Sequence, residues 1–238
     1  MAVTREEFYG SQDPHNLPAY FISQASHHLS VPNSTLRSWV AGSSYETKAG
    51  RKRSLPLIEP IRNKPYMLSF WNMIELQILA SIRRRHKVSM PRVRKALNFV
   101  QSELGIERPL IKAQFSTDGV DLFVKDYGGL FNATTRERES LSLQRQMRAA
   151  LDRIERDEFG IATRMFPWRE DPLQDLRVVA IDPATKFGQP VVRGTRIATA
   201  VLASRRRGGE AWQSIADDCQ LKVDSVVEAV RWELGKAA

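Results

Sequence analysis

The chain has 238 residues, enough for two domains of the usual size of about 100–200 residues. Hydrophobic residues make up 42% and charged residues 26%, and no apolar run reaches the roughly 18 residues that a membrane-spanning helix needs. One cysteine excludes an intramolecular disulfide, and the four histidines lack metal-ligand spacing, so no metal site or cofactor is expected. We therefore expect a globular protein of the cytoplasm, without a targeting segment or membrane contact.

The net charge of +9 is unevenly distributed along the chain. Residues 1–105 contain 15 basic and 7 acidic side chains, residues 106–175 contain 11 and 13, and residues 176–238 contain 10 and 7. An excess of cations at one end is typical of a module that binds a polyanion such as nucleic acid. A basic protein without a nucleic-acid partner is the alternative that charge alone leaves open.

The N-terminal pattern predicts two short helices joined by a tight turn. Apolar residues recur at helical spacing within residues 20–29, and after a break a second helix begins at Asn33 or Ser34 and stops at Gly42. This arrangement predicts a helix-turn-helix, with an ordinary helical hairpin as the alternative. The basic residues that follow, 43–64, predict a loop or hairpin with Leu55–Ile58 as its return strand.

The second of these helices is the predicted DNA-binding element. Its N-terminus presents backbone N–H groups and small polar side chains that suit phosphate, and Arg37 is long enough to reach a guanine edge. The basic loop is expected to contact the DNA backbone as a wing. The predicted DNA-binding residues are Asn33, Ser34, Thr35, Arg37, Ser38, Arg51, Lys52 and Arg53.

Two longer helices are predicted next, followed by a central segment with a different pattern. Helices are predicted from Ser69 to His86 and from Met90 to Leu104. Short strands are then predicted at Leu110–Phe115 and Val120–Val124, because an Asp-Gly pair between two apolar runs is a hairpin signal. Residues 137–156 predict a charged amphipathic helix, an aromatic-rich stretch covers residues 159–168, and an acidic linker covers residues 169–175.

The last third predicts a small module of two strands and three helices. Strands are expected within residues 177–181 and 191–192, separated by a turn. Helices are expected near residues 199–207, 210–218 and 222–234, divided by Gly208-Gly209 and by Gln220-Leu221. The last of these helices carries more acidic than basic side chains, so it is a poor DNA-reading helix. We expect this module to serve in dimerisation or partner binding.

Two segments resemble known families. Residues 22–42, with the string VPNSTLRSWV at residues 31–40, are similar to the DNA-binding half of MerR-type winged helices, and the helices after residue 68 resemble that family's second helix pair. The usual wing sequence, the long dimerisation coiled coil and a cysteine-rich effector site are not found. The string GQPVVRGTRI at residues 188–197 resembles the domain of unknown function 433, which is common in bacterial antitoxins.

In this order the two segments resemble the larger VapB-type antitoxins. The resemblance implies a PIN-like ribonuclease toxin as partner, whose carboxylate-lined site an antitoxin covers, often with an arginine or an aromatic anchor. The predicted partner-binding residues in the central segment are Arg164, Phe166, Trp168 and Arg169. The alternative to partner binding is that Phe166 and Trp168 are core residues.

The resulting prediction is a mainly α (α+β) protein. It comprises an N-terminal winged helix-turn-helix at 18–105, a central β-hairpin plus helix at 106–175, and a C-terminal strand-plus-three-helix domain at 176–238. The predicted function is a homodimeric, non-enzymatic antitoxin that neutralises a PIN-like ribonuclease and represses its own operon by binding operator DNA, since no nucleophile–base pair is evident. The alternatives are a stand-alone MerR-like regulator that responds to a small ligand, and a structural adaptor with an incidental basic end.

Overall fold

The computed structural model describes residues 13–47, 50–85, 90–128, 136–169 and 176–235. The fold is mainly helical, as predicted, and this part of the chain also contains four small antiparallel sheets. Its first elements are β1 (Tyr20–Phe21), α1 (Ile22–Leu29), α2 (Asn33–Ala41), β2 (Ser43–Thr47) and β3 (Gly50–Ser54). None of the helices described is long and apolar enough to cross a membrane.

Helices α1 and α2 form the predicted helix-turn-helix. The turn depends on Ser30, whose left-handed backbone (φ 50°) lets its N–H group donate back to carbonyls at the end of α1. Ala25 and Leu29 of α1 and Leu36 and Trp39 of α2 are buried between the helices and the core. This burial holds the two helices at a fixed angle and leaves the opposite face of α2 exposed.

The wing after α2 is a hairpin, but its return strand differs from the prediction. Strand β3 pairs with β2 from Ser43–Ser54 to Thr47–Gly50, so the return strand comes before Leu55–Ile58. Residues 55–58 pack instead against the end of α2. The N–H groups of Leu57 and Ile58 both donate to the Trp39 carbonyl, and Ile58 is buried. The wing is therefore tied to the end of α2.

Gly42 makes the close approach between α2 and the wing possible. It has a φ of 76°, and a Cβ atom on it would lie 2.3 Å from the carbonyl oxygen of Ser54. Both the positive φ and this contact require glycine.

A second hairpin, which the sequence did not predict, follows the wing. It consists of β4 (Arg62–Asn63) and β5 (Tyr66–Leu68), and β5 also pairs with β1, giving the sheet order β1–β5–β4. Because β1 leads directly into α1, this sheet fixes the β4–β5 turn relative to the helix-turn-helix.

Helices α3 (Phe70–Arg85) and α4 (Met90–Leu104) support this N-terminal part, close to their predicted positions. Ser69 begins α3 with reciprocal bonds to Asn72, in which the Ser69 N–H donates to Oδ1 (3.0 Å) and the Asn72 N–H donates to the Ser69 hydroxyl (3.2 Å). Within α3 the buried Glu75 carboxylate accepts two bonds from Arg108, at 2.7 and 3.0 Å.

The central hairpin is present, but the position predicted for it at residues 110–124 is wrong. Residues 115–119 form a π-helical turn that leads into α5 (Val120–Gly128). Phe115, Val120 and Phe123 are fully buried on the inward face of this turn and of α5, and this helical periodicity overrides the Asp-Gly turn signal. A Cβ atom on Gly119 would lie 2.6 Å from the Phe115 ring, so packing explains this glycine.

The central hairpin lies later in the chain. Helix α6 (Arg136–Leu151) ends before residue 156, its predicted end, and the hairpin follows as β6 (Ile154–Arg156) and β7 (Ala162–Met165). Met165 bridges to Ile181, so the hairpin edge continues into the C-terminal strands.

The C-terminal module has the predicted two strands and three helices. They are β8 (Val179–Ala180), β9 (Val191–Val192), α7 (Thr199–Arg207), α8 (Trp212–Cys219) and α9 (Val223–Leu234). Its apolar side chains form their own core around Leu202, Ile215 and Val226, separate from the larger core of the N-terminal and central parts.

Candidate nucleic-acid interface

The outer face of α2 displays most of the residues predicted to bind DNA. Asn33, Ser34 and Arg37 are exposed, while Thr35 and Ser38 are half-buried. The Ser38 hydroxyl donates to the Thr35 carbonyl at 2.7 Å, so its proton is used within the helix. The structure therefore groups three exposed polar side chains on the first turns of α2.

The N-terminus of α2 is electrostatically suited to an anion. No side chain caps it, since Pro32 occupies the cap position, and its first turn contains no acidic residue. The backbone N–H groups of this turn are therefore uncapped, and the helix dipole leaves partial positive charge there. Arg37 lies one turn further on and, within the described chain, has no hydrogen-bond or ion-pair partner.

Of the basic residues predicted to bind DNA on the wing, only Arg53 has a side chain within the described residues. Arg53 is exposed on β3, opposite Ser44. Arg51 and Lys52 lie on the same strand, opposite Glu46 and Tyr45, but their side chains fall outside the described residues. The backbone hairpin nevertheless begins directly after α2, as a wing beside a DNA-binding helix does.

A cleft beside α2 was missed by sequence reasoning. It is lined by Phe21, Ile22, Ser23, Asn33, Arg37, Asn63, Lys64, Pro65 and Tyr66. The lining includes two cationic side chains, Arg37 and Lys64, and no carboxylate. The signal that could have found it is the Asn63-Lys64-Pro65 turn, which lies between short extended segments.

Two of the predicted partner-binding residues are inside the protein. Phe166 is 0% exposed and Trp168 is 2% exposed, which agrees with their alternative interpretation as core residues. The guanidinium groups of Arg177 and Arg193 lie over the Phe166 ring, at 5.9 and 4.9 Å from its centroid. In this conformation neither aromatic side chain is accessible to a partner.

The two predicted partner-binding arginines have intramolecular contacts. Arg164 is partly exposed and forms ion pairs with Glu155 at 2.7 Å and with Asp182 at 2.9 Å. Arg169 donates to the carbonyl oxygen of His27 at 2.7 Å, to the Ser30 hydroxyl at 2.6 Å and to the Trp232 carbonyl oxygen.

Arg169 thus joins the end of α1 to α9 of the C-terminal module. Its guanidinium lies 4.7 Å from the centroid of the Trp232 ring, and His28 stacks on the same indole. Burial, and secondarily the charges of His27 and Arg169, lowers the pKa of His28 from 6.5 to about 3. The helix-turn-helix and the C-terminal module are therefore in direct contact through neutral and stacked rings.

The turn between α8 and α9 has the same geometry as the turn between α1 and α2. Gln220 has a φ of 53°, close to the 50° of Ser30, and its N–H group likewise donates back to the preceding helix. Helix α9 differs from α2 in charge, because it carries Asp224 and Glu228. With Ser30 and Gln220 as equivalent turn residues, the position of Arg37 in α2 corresponds to Val227 in α9, so the second helix pair has no cation there.

Phe187 is an exposed aromatic residue that the sequence did not single out as a partner contact. Its side chain is 93% exposed, and Lys186, Phe187 and Gly188 all have left-handed backbones, with φ of 50°, 55° and 76°. Left-handed backbone costs roughly 1–2 kcal/mol for each residue other than glycine. The turn is braced by Tyr20, whose buried hydroxyl donates to the Gly188 carbonyl at 2.9 Å.

Comparison with protein families identifies two domains in the chain. Residues 18–97 match a family described as "Putative DNA-binding HTH domain", and residues 179–232 match "Protein of unknown function (DUF433)". The chain thus contains a segment that matches a helix-turn-helix domain family and a C-terminal segment that matches the second family, and the prediction of these two segments is confirmed. The likeness to MerR-type winged helices stays a prediction.

Full-length relatives come from Mycobacterium tuberculosis (strain ATCC 25618 / H37Rv). "Putative antitoxin VapB45" is 25% identical over 231 residues, covering 90% of this chain and 93% of the relative. "Uncharacterized protein Rv2308" is 25% identical over 217 residues, covering 89% and 88%. The crystal structure of Rv2018 from the same species has a TM-score of 0.66 at 20% identity, covering 90% and 98%, and it supports the fold.

Proposed function

We propose that this protein is the antitoxin of a type II toxin–antitoxin pair. The supporting observation is the exposed, uncapped N-terminus of α2 with Asn33, Ser34 and Arg37, in a chain that is similar over 90% of its length to a protein named "Putative antitoxin VapB45". Residues 18–105 bind operator DNA, residues 106–175 connect the two modules and form the candidate toxin-binding segment, and residues 176–238 serve in dimerisation or partner binding. The protein has no enzymatic activity of its own.

Operator binding requires two copies of the chain. Helix α2 has nine residues and is about 13 Å long, so it spans only a few base pairs of the major groove. One such helix gives too little sequence specificity, whereas a homodimer presents two of them to a two-fold symmetric operator. Autorepression of the operon follows when this operator overlaps the promoter.

Toxin neutralisation occurs by direct binding of a PIN-like ribonuclease. Because Phe166 and Trp168 are buried, the contact falls to exposed side chains. Phe187 is the best candidate for an aromatic anchor, since a braced turn displays its ring to solvent at a cost in backbone strain. Arg164, which is partly exposed, remains a candidate for an ionic contact with the toxin.

DNA binding and autorepression are tested with the purified full chain. The probe is a fluorescent duplex that covers the region upstream of the chain's own gene, and a shuffled duplex of equal length is the control. We expect tight binding to the first duplex only, with a footprint of two half-sites about one helical turn apart. Equal binding to both duplexes, or none to either, would overturn this part of the proposal.

A further inference from the structure

The β4–β5 hairpin is held against the helix-turn-helix by backbone pairing. Strand β5 pairs with β1 through Tyr20–Leu68 and Phe21–Met67, and the Ala19 N–H donates to the Leu68 carbonyl at 3.0 Å. Because α1 begins at the residue after Phe21, the position of the hairpin turn is fixed relative to both helices. The turn residues Lys64 and Pro65 are exposed at its tip.

This rigid arrangement brings cations from two elements to one cleft. Arg37 comes from α2 and Lys64 comes from the hairpin turn, and the amide side chains of Asn33 and Asn63 line the same cleft. Within the described chain, neither cation has a hydrogen-bond or ion-pair partner. Arg62, which precedes Asn63, is also exposed.

The chemistry of the cleft fits a phosphodiester strand. Two unpaired cations and two amide side chains line a cleft beside the uncapped start of α2, and its lining, among the described residues, has no carboxylate. The anionic phosphate groups of a nucleic-acid strand are complementary to these cations and amides, whereas a cationic ligand is not. The cleft is open to solvent beside the helix that would lie in the major groove.

We propose that the β4–β5 turn is a second DNA-contacting wing. Lys64 and Asn63 hold the sugar–phosphate backbone of the strand next to the bases that α2 reads, while β2 and β3 contact the backbone on the other side. This inference rests on the proposed operator binding. It adds a phosphate contact that is independent of base sequence, and it orients α2 in the groove.

The first test compares Lys64→Gln with Lys222→Gln. Lys222 is exposed at the start of α9, whereas the described contacts of α9 with α1 involve Trp232 and Glu233 near its other end, so Lys222 is a comparable lysine that does not line the cleft. Binding of the upstream-region duplex and of the shuffled duplex is measured at several salt concentrations. We expect Lys64→Gln to make the slope of log K against log salt shallower on both duplexes, by about 0.9 for each lost phosphate contact and so by about 1.8 for the homodimer, and Lys222→Gln to leave it unchanged.

The outcomes separate this inference from the function on which it rests. If the unaltered chain binds neither duplex, operator binding itself fails. If the unaltered chain binds the upstream duplex and Arg37→Ala weakens it, but Lys64→Gln changes neither slope nor affinity, then the second wing alone is overturned. Unchanged thermal unfolding of the Lys64→Gln variant shows that its weaker binding comes from the missing ammonium group and not from a damaged fold.

A second test locates residue 64 on the bound DNA directly. An iron chelate that cleaves DNA is attached to Lys64→Cys in a chain whose single cysteine is replaced (Cys219→Ser), and the same label on Lys222→Cys is the control. We expect cleavage within the footprint, one or two nucleotides from each set of bases that α2 reads, only for the label at residue 64. Absent cleavage from that label on bound DNA would overturn the inference.

Discussion

The imidazole ring of His28 stacks on the indole ring of Trp232, with the ring centroids 5.7 Å apart and the planes inclined by 22°. His28 belongs to the first helix of the helix-turn-helix, and Trp232 belongs to the last helix of the C-terminal module. Arg169 binds both elements from the central segment. These contacts join the end of α1, the helix that precedes α2, to the last helix of the C-terminal module.

This contact makes stability depend on pH. The folded protein lowers the pKa of His28 to about 3, so in the range between about 3 and 6.5 the unfolded chain binds a proton that the folded chain does not. The contribution of neutral His28 to the free energy of unfolding is therefore complete above pH 6.5. Below pH 6.5 the free energy of unfolding falls by about 1.4 kcal/mol per pH unit. Urea unfolding at pH 7.5, 6.0 and 5.0 measures it.

The variant His28→Phe serves as the control for this pH dependence. It keeps a ring against Trp232 but cannot bind a proton. We expect the stability difference between the two proteins to shift in favour of His28→Phe as pH falls from 6.5 to 5.0. A difference that stays constant over this range would contradict the assignment.

Arg37 is expected to determine both affinity and sequence preference. Replacing it with alanine should lower operator affinity by about 1–3 kcal/mol if it contacts a guanine edge. Arg37→Lys keeps the charge but loses the bidentate geometry, so it should bind the shuffled duplex as the unaltered chain does and lose preference for the operator. Titration by fluorescence anisotropy gives both values, and an operator affinity unaffected by either change would remove Arg37 from this role.

The basic run on the wing is expected to bind phosphate groups only. Replacing Arg51, Lys52 and Arg53 together with glutamine should flatten the salt dependence by roughly 0.9 log–log units for each phosphate that the wing no longer neutralises. The preference for operator over shuffled duplex should remain, because these side chains bind the DNA backbone. A salt slope equal to that of the unaltered chain would indicate that the wing points away from DNA.

Phe187 is expected to contribute to toxin affinity but not to stability or to operator affinity. Because its ring is exposed and contributes no core packing, Phe187→Ser should leave thermal unfolding and operator affinity unchanged. It should weaken binding of the toxin by at least about 1 kcal/mol, as a central aromatic contact does. Val201→Ser, at an exposed apolar residue on α7, is the comparison. Equal toxin affinity of the Phe187→Ser and unaltered chains would exclude the anchor.

The ion pair between Glu75 and Arg108 is expected to be important for stability. Glu75 is almost fully buried, so Arg108→Met leaves a carboxylate without its counter-charge and should cost roughly 3 kcal/mol of unfolding free energy. The exposed pair of Arg231 and Glu228 supplies the matched control, and Arg231→Met should cost no more than about 1 kcal/mol. The two costs are compared by urea unfolding at pH 7.5, and equal values would contradict the burial argument.

Local signals were sufficient for the helix-turn-helix and for the C-terminal module. The break at Ser30 and the stop at Gly42 both reflect backbone conformations with positive φ, which the residue types and the apolar spacing make visible. The glycine pairs and apolar runs of the last third likewise placed α7, α8 and α9 within two residues. These elements could be predicted because their cause lies in neighbouring residues.

Other features depend on contacts between distant residues. The Asp118-Gly119 pair indicated a turn, yet Phe115 and Phe123 bury the segment as helix against a core built by α4 and α6. The short strands β1 and β5 pair although the helix-turn-helix and the wing lie between them in the chain, so no local pattern shows them. The turn that carries the exposed Phe187 is bonded to Tyr20, which is 168 residues away in the chain, and no local pattern shows this contact.

The most direct test of the antitoxin account is co-expression with the gene next to that of this chain. The pair is purified through a tag on the neighbouring gene product, and its mass is measured by size-exclusion chromatography with light scattering. Its ribonuclease activity is then assayed. The tagged partner is separated from this chain under denaturing conditions, refolded and assayed again. We expect a stable complex that is silent as a ribonuclease and a free partner that is active. A free homodimer of this chain, with no bound partner and no effect on the neighbouring product, would contradict the account.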